Sequence, residues 1–175
     1  MGGVESRVGC IRYQLAERST VIELRPVEPA DLDEFFEYQQ DPDANHMAAF
    51  AAKNPSDRGV FNLHWQSLLD DETITVRTVT VDGEVVGSVL AYPNEGYPEL
   101  SYWTAKSQWG KGVTTAAVEA FLKEFTARPI RARVVKDNLG SVKVLHKLGF
   151  RTVGEAQGFA NARGAVVTEE ILELA

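Results

Sequence analysis

The feature of this sequence that most constrains its fold is a pair of glycines, Gly110 and Gly112, between a strand-like segment and a helix-like segment. Residues 99–104 are rich in strand-forming side chains, and the residues after Gly112 place Val118, Phe121 and Leu122 on one helical face. Glycine lets a ligand come close to the backbone, and the first N–H groups of a helix have no partner within it. The segment therefore predicts an anion site suited to a pyrophosphate, although an ordinary strand-to-helix turn has the same pattern.

The rest of the chain predicts a mixture of strands and helices. Apolar spacing and turn residues give the order β-α-α-β-β-β-α-β-α-β-β. Asp82-Gly83 between two β-branched runs is a strong hairpin signal, and Asp41-Pro42-Asp43 is expected to break the first helix. We therefore expect an α/β (α+β) fold in which helices lie against a mixed sheet.

Composition excludes several classes of protein. A chain of 175 residues is long enough for one domain with a substantial core. A single cysteine, Cys10, excludes an intramolecular disulfide and a cysteine-based metal site, and three well-separated histidines make a zinc site unexpected. No apolar run approaches the ~20 residues of a membrane span, and the N-terminus lacks the apolar segment of a signal peptide. We expect a soluble, cytoplasmic protein with no metal and no membrane partner.

Charge is distributed unevenly along the chain. The net charge of −7 argues against a general nucleic-acid-binding protein. Residues 1–100 carry −11 and residues 152–175 carry −3, whereas residues 101–151, with ten basic and three acidic side chains, carry +7. This basic block is either a solvated surface or a local site for a polyanionic ligand. It includes the glycine turn, in which Lys106 and Lys111 lie.

Two common phosphate-binding motifs do not fit the turn. A Walker A loop needs glycine where Ala105 stands and Ser or Thr after its lysine, whereas Gly112 follows Lys111 here. The dinucleotide-binding fingerprint needs a third glycine at the position of Thr115.

The segment resembles the GCN5-related N-acetyltransferase (GNAT) family, in particular its ribosomal-protein-alanine acetyltransferase branch. The family motif (Gln/Arg)-x-x-Gly-x-(Gly/Ala) falls on residues 109–114, with departures at Trp109 and Thr114. Upstream, residues 99–103 resemble the branch's E-i-G-Y-W strand, and downstream, residues 138–150 resemble N-x-x-S-x-x-v-l-x-K-l-G-F. Three segments in the right order and spacing make the resemblance specific.

The resemblance covers about residues 20–175 and implies a single GNAT-like acetyltransferase domain, preceded by an N-terminal extension over residues 1–19. It implies a mixed, mostly antiparallel central sheet flanked by about four helices, with the central strands splayed to admit coenzyme A. The sequence leaves open whether the extension packs on the sheet, contributes to a dimer or is disordered, and whether the protein is a monomer or a homodimer.

The resemblance also implies that acetyl-CoA is the cosubstrate. Its pantetheine is expected along residues 102–104, and its pyrophosphate against N–H groups of residues 109–115. Asn138 is expected to bond the pantetheine arm or to cap a helix, and Lys143 and Lys147 either meet the nucleotide phosphates or form a solvated face. The residues expected to bind the cofactor are Tyr102, Trp103, Thr104, Trp109, Gly110, Lys111, Gly112, Val113, Thr114, Thr115, Asn138, Ser141 and Lys147.

For catalysis, the resemblance implies direct attack of a neutral amine on the thioester, through a tetrahedral oxyanion. Glu99 is the first candidate for the general base, the alternative being an exposed carboxylate at a strand end. Many relatives place a tyrosine general acid seven residues after the motif asparagine, where Leu145 stands here. Ser141 is the best substitute, as a hydroxyl donor to the leaving sulfur.

The leading hypothesis is an N-acetyltransferase acting on a primary amine, either a protein N-terminus or a small molecule. Because the acidic residues 1–100 supply the segments around the acceptor in this fold, a cationic acceptor is expected. A non-catalytic acyl-CoA-binding or regulatory module is a second hypothesis, because the tyrosine is missing. A module that uses the basic block for another nucleotide is a third.

Overall fold

Eight strands make up one sheet in the computed structural model, which describes residues 10–15 and 18–175. The strands are β1 (Cys10–Leu15), β2 (Arg18–Arg25), β3 (Thr75–Val81), β4 (Glu84–Asn94), β5 (Tyr97–Thr104), β6 (Ile130–Val135), β7 (Arg151–Ala160) and β8 (Ala165–Leu174). The helices are α1 (Asp31–Tyr38), α2 (Pro42–Ala48), α3 (Arg58–Asp70), α4 (Val113–Glu124) and α5 (Leu139–Lys147), with a 3₁₀ turn over Lys106–Gln108. The sheet order is β1-β2-β3-β4-β5-β6-β8-β7.

The sheet is antiparallel except at its centre, where β5 and β6 are parallel and share only one paired position, Glu99 with Arg131. Beyond Glu99, the paired neighbour of β5 is β4 alone. The two central strands therefore diverge toward the end of β5, where the glycine turn begins. This confirms the predicted splay of a mixed, mostly antiparallel sheet.

Helices cover both faces of the sheet. On one face, α4 and α5 bury Phe121 and Leu145 against Val89 of β4. On the other face, α1 and α3 bury Phe35 and Trp65 in a second cluster that includes Leu90. Since Val89 and Leu90 are neighbours in one strand, their side chains point to opposite faces. The apolar stripe of α4 read from the sequence, Val118, Phe121 and Leu122, is therefore buried as predicted, in the layer that contains Val89.

Two elements differ from the sequence prediction. Residues 41–43 follow the end of α1, as predicted, but they also begin α2, a fifth helix beyond the expected four or so. The Asp41 side chain accepts a hydrogen bond from Ala44 N–H at 2.9 Å, and Pro42 takes the first helical position, where its missing N–H costs nothing.

The predicted extension over residues 1–19 lies mostly outside the described residues. Of its described part, Cys10–Leu15 forms β1, antiparallel to β2, and the predicted boundary at residue 20 falls inside β2. Within the described residues, no helix is long and apolar enough to span a membrane.

Candidate functional site

A cavity of about 460 Å³, here called the groove, lies at the splayed end of β5. The residues around it are uncharged side chains from four segments. They are Ala44, Met47 and Ala48 of α2, Tyr102, Trp103 and Thr104 of β5, Gln108, Trp109, Gly110, Gly112, Val113, Thr114 and Thr115 of the turn and α4, and Asn138, Gly140, Ser141 and Val144 at α5.

The groove brings together nearly all of the residues predicted to bind the cofactor. The exceptions are Lys111 and Lys147, which are exposed and do not line it. Helix α2 contributes lining residues that sequence reasoning missed. The signal for α2 was present in Asp41-Pro42, an N-cap followed by proline, but a seven-residue helix shows too little periodicity to be recognised by its apolar spacing.

The glycine turn has the backbone geometry of an anion site. Gly110 and Gly112 have φ angles of 72° and 78°, in the left-handed region that glycine adopts without strain. Gly112 is the N-cap of α4 and provides no side-chain cap. The first N–H bonded within the helix is that of Ala116, to the Gly112 carbonyl at 3.1 Å. The N–H groups of residues 113–115 are therefore left for a ligand, at the positive end of the helix dipole.

The two departures from the family motif both contact Thr104 at the end of β5. The Trp109 indole N–H donates to the Thr104 carbonyl at 2.9 Å. The Thr114 hydroxyl donates to the Thr104 hydroxyl at 2.9 Å. The two side chains thus attach both ends of the turn to the strand, so the departures hold the loop in place instead of disrupting it.

A hydroxyl pair lies where β5 meets α5. Tyr102 and Ser141 are hydrogen-bonded through their hydroxyl groups, and burial raises the pKa of Tyr102 to about 12, against a smaller lowering by Ser141. Leu145, at the position of the family tyrosine, is fully buried in the core. The sequence assigned Tyr102 only to strand pairing with the cofactor. The structure shows that the Tyr102 hydroxyl on β5 contacts the Ser141 hydroxyl on α5. Because these residues are 39 positions apart in the sequence, no local motif predicts the contact.

Asn138 has both polar atoms of its amide engaged. Its Oδ1 accepts from Ser141 N–H at 3.2 Å, which makes it the N-cap of α5, and its Nδ2 donates to the Met47 carbonyl of α2 at 3.2 Å. The capping alternative for Asn138 is therefore confirmed. Any bond to a cofactor would have to share or replace these contacts.

Glu99 lies on the opposite face of β5 from Leu100, which packs in the α4 core. It is only 7% exposed, so it is not the exposed carboxylate of the alternative interpretation, and it does not line the groove. Tyr92 O–H donates to it at 3.0 Å and Asn94 Nδ2 at 2.6 Å, and Arg133 Nε lies 3.4 Å away.

Glu169 of β8 extends this group of polar side chains. We call the group the polar row, and its members are Tyr92, Asn94, Glu99, Arg133 and Glu169. Burial raises the pKa of Glu169, Arg133 lowers it, and Glu99 raises it further. The polar row therefore combines two electrostatically coupled carboxylates with one guanidinium on the far side of the sheet from α4.

Half of the ten cations of the basic block pair with acids, most of which come from the flanking segments. Lys106 pairs with Asp43, and Arg133 pairs with Glu95 at 2.6 Å. Arg131 and Lys136 pair likewise with acids of β8 and β7. Five exposed cations of the block form no ion pair with another described residue, namely Lys111, Arg128, Lys143, Lys147 and Arg151. The +7 of the sequence is thus divided between ion pairs and exposed side chains, and none of these cations lines the groove.

Comparisons with known proteins agree with this geometry. A family model described as an acetyltransferase (GNAT) domain matches residues 22–151. The uncharacterized N-acetyltransferase p20 of Bacillus licheniformis is 25% identical over an alignment of 154 positions, which covers 82% of this chain and 86% of that protein. Mycobacterium smegmatis RimJ in complex with CoA-disulfide has a TM-score of 0.77 at 24% identity, over 95% of this chain and 86% of that chain. RimL, a ribosomal L7/L12 alpha-N-protein acetyltransferase solved with coenzyme A, has a TM-score of 0.75 at 14% identity, over 87% and 93% of the two chains.

Proposed function

Because this chain belongs to the GNAT acetyltransferase family, we propose that it transfers the acetyl group of acetyl-CoA to a primary amine. The observation that carries the proposal is the groove itself. It combines the start of α4, which has no side-chain cap, with two glycines in the left-handed backbone region. It also includes the part of β5 beyond Glu99, which no longer pairs with β6. The solved structures of RimJ and RimL, whose folds are similar to that of this chain, contain CoA, which supports the same class of ligand here.

The groove residues suit each part of this cosubstrate. The N–H groups of residues 113–115 would hold the pyrophosphate, since they point out of α4 at its positive end. The unpaired edge of β5 beyond Glu99 would hydrogen-bond the amides of pantetheine as an added strand does. Acetyl-CoA supplies a thioester that an amine can attack. The protein's contribution is positioning and the movement of protons.

In the reaction, the nitrogen of the acceptor forms a bond to the thioester carbon, and the carbon–sulfur bond then breaks. The amine loses one proton and the departing thiolate gains one, so the products are an amide and free CoA. Ser141, in the first turn of α5, would donate a proton to sulfur, and Tyr102 would return one to Ser141 through the hydrogen bond between the two hydroxyl groups. The raised pKa of Tyr102, about 12, keeps the phenol protonated at neutral pH, as a donor must be.

Glu99 remains the proposed acceptor of the amine proton. Because it lies outside the groove lining and is hydrogen-bonded to Tyr92 and Asn94, a water would carry the proton to it. Near it, Glu95 and Glu169 share the single guanidinium of Arg133. This excess of carboxylates supports a cationic acceptor, such as a protein N-terminus or a polyamine-like small molecule.

A thiol-release assay with acetyl-CoA, run against amines and peptide N-termini, tests the proposal. We expect Glu99→Gln, Ser141→Ala and Tyr102→Phe to lower kcat while CoA binding, measured by calorimetry, is retained. General acid–base groups contribute roughly 100-fold or more, and a loss of about that size is expected for Glu99→Gln. Tyr97→Phe is the matched control, because the Tyr97 ring lies on Arg131 and removal of its hydroxyl leaves that contact intact.

Two outcomes would contradict the proposal. CoA binding without thiol release for any acceptor would indicate the non-catalytic module instead. Full activity of the Glu99 and Ser141 variants would show that protons move through other groups, and the catalytic assignment would then be wrong.

A further inference from the structure

Helix α2 forms one wall of the groove, but it is too short for its own hydrogen bonds to fix its position. Ala44, Met47 and Ala48 line the groove. The helix has only seven residues, and a helix leaves its last carbonyl groups without partners inside it. The position of this wall therefore depends on the groups that bond those carbonyls from elsewhere in the chain.

The turn between β7 and β8 supplies such a group in Arg163. Its Nε donates to the His46 carbonyl at 2.6 Å, and its two terminal nitrogens donate to both oxygens of Asp137 at 2.7 and 2.9 Å. The Arg163 side chain is only 11% exposed, so water has little access to the guanidinium, although the Asp137 side chain is 61% exposed. Asp137 directly precedes Asn138, which itself bonds the Met47 carbonyl. Two successive carbonyls of α2 are thus fixed to the segment that begins α5.

The residue that follows α2 is strained and is held by the same turn. Phe50 N–H donates to the Ala48 carbonyl at 2.7 Å, so the chain makes a γ-turn at Ala49, with φ 62° and ψ −53°. Such a conformation is costly for alanine and persists only where the surroundings impose it. Ala49 is fully buried, and its carbonyl accepts from Ala162 N–H at 3.1 Å.

The other end of α2 has a weaker attachment. Asp43 pairs with Lys106, but both side chains are largely exposed, and such surface pairs contribute little. The C-terminal end of α2 is therefore the firmly held end, and it is linked to the start of α5 twice, directly by Asn138 and through Asp137 by Arg163.

We propose that Arg163 is a positioning residue for cofactor binding. It fixes the C-terminal end of α2 against Asp137 and so sets the width of the groove between Met47 and Ser141. The inference rests on the proposed function only in that the ligand of the groove is an acyl-CoA. It assigns a role in binding to the β7–β8 turn, which lies outside the family motif.

The test is calorimetric titration of CoA into the wild type and into Arg163→Lys, Arg163→Gln and Asp137→Asn, together with the KM for acetyl-CoA and kcat. Lysine keeps the charge but cannot make the two-pronged bond to Asp137 and reach His46 as well. We expect Arg163→Lys to raise the Kd for CoA and the KM for acetyl-CoA by about three- to tenfold, the range that one hydrogen bond provides. At saturating acetyl-CoA, kcat should change less than twofold.

Arg25→Lys is the matched control. Arg25 makes the same two-pronged bond, to Asp31 at 2.7 and 2.8 Å, and neither residue lines the groove. This variant should lower the melting temperature and leave the Kd for CoA within twofold. Equal Kd values for Arg163→Lys and the wild type would overturn the inference, as would an equal weakening in Arg25→Lys. A wild-type protein that binds no CoA would instead overturn the proposed function, and the inference with it.

Discussion

The groove and the polar row both lie at the splayed strands β5 and β6, but their polar atoms come from different sources, the backbone in the groove and the side chains in the polar row. The groove is lined by uncharged side chains and by the free N–H groups at the start of α4. The polar row consists largely of ionisable side chains, with Glu99 buried among Tyr92, Asn94 and Arg133. The groove therefore depends on backbone geometry, and the polar row depends on the protonation of its side chains. Substitutions should therefore affect them differently.

The largest effect on cofactor binding is expected from a change to the backbone of the groove. Gly112→Ala places a Cβ on a residue with φ 78°, where no neighbour lies within 4 Å but the conformation itself is unfavourable by about 1–2 kcal/mol. If the turn relaxes, the N–H groups of residues 113–115 no longer converge. We expect the KM for acetyl-CoA to rise about tenfold, as measured by initial rates.

Gly96→Ala is the control for this change. Gly96 has φ 83°, also with no neighbour within 4 Å, and it lies in the turn between β4 and β5, away from the groove. The backbone cost should be similar, while the KM should stay at the wild-type value. A similar rise in KM for both variants would show that general destabilisation, not groove geometry, is responsible.

The sequence predicted the groove better than the polar row, for a physical reason. Gly110, Gly112 and Asn138 act through local geometry, a turn and two helix starts, which short motifs encode. The contact between Arg163 and His46 joins residues 117 positions apart, and the burial of Glu99 depends on groups from other strands. No local pattern carries such information. Even so, the α2 helix could have been predicted from its N-cap and proline.

The effect expected from Glu169 of the polar row is a modest change in thermal stability, and it depends on pH. Burial raises the pKa of Glu169, Arg133 lowers it, and Glu99 raises it. Because the folded-state pKa lies above the unfolded one, the folded state favours the protonated form. The stability contributed by protonated Glu169 is present below the pKa of the unfolded state and is lost as pH rises through the pKa of the folded state. Glu169→Gln should therefore raise the melting temperature by about 2 °C at pH 8 and change it little at pH 4.

Glu173→Gln provides the comparison on the same strand. Glu173 pairs with Arg131 at 2.8 Å, so its replacement removes an attraction and should lower the melting temperature at pH 8. Stabilisation of both variants at pH 8 would mean that the excess negative charge of the protein as a whole is responsible, not the coupling within the polar row.

The smallest effect is expected from the lysine of the turn. Lys111 is the cation within the motif, residues 109–114, but it is exposed, does not line the groove and belongs to no ion pair among the described residues. A single exposed charge contributes at most ~1 kcal/mol and is screened by salt. Lys111→Gln should therefore raise the KM for acetyl-CoA by less than about threefold at low ionic strength and by less still in 0.5 M salt. A tenfold rise that persists in salt would mean that a cation, rather than the N–H groups of α4, holds the phosphates. Phosphate binding in the groove would then depend on side-chain charge and not on backbone geometry.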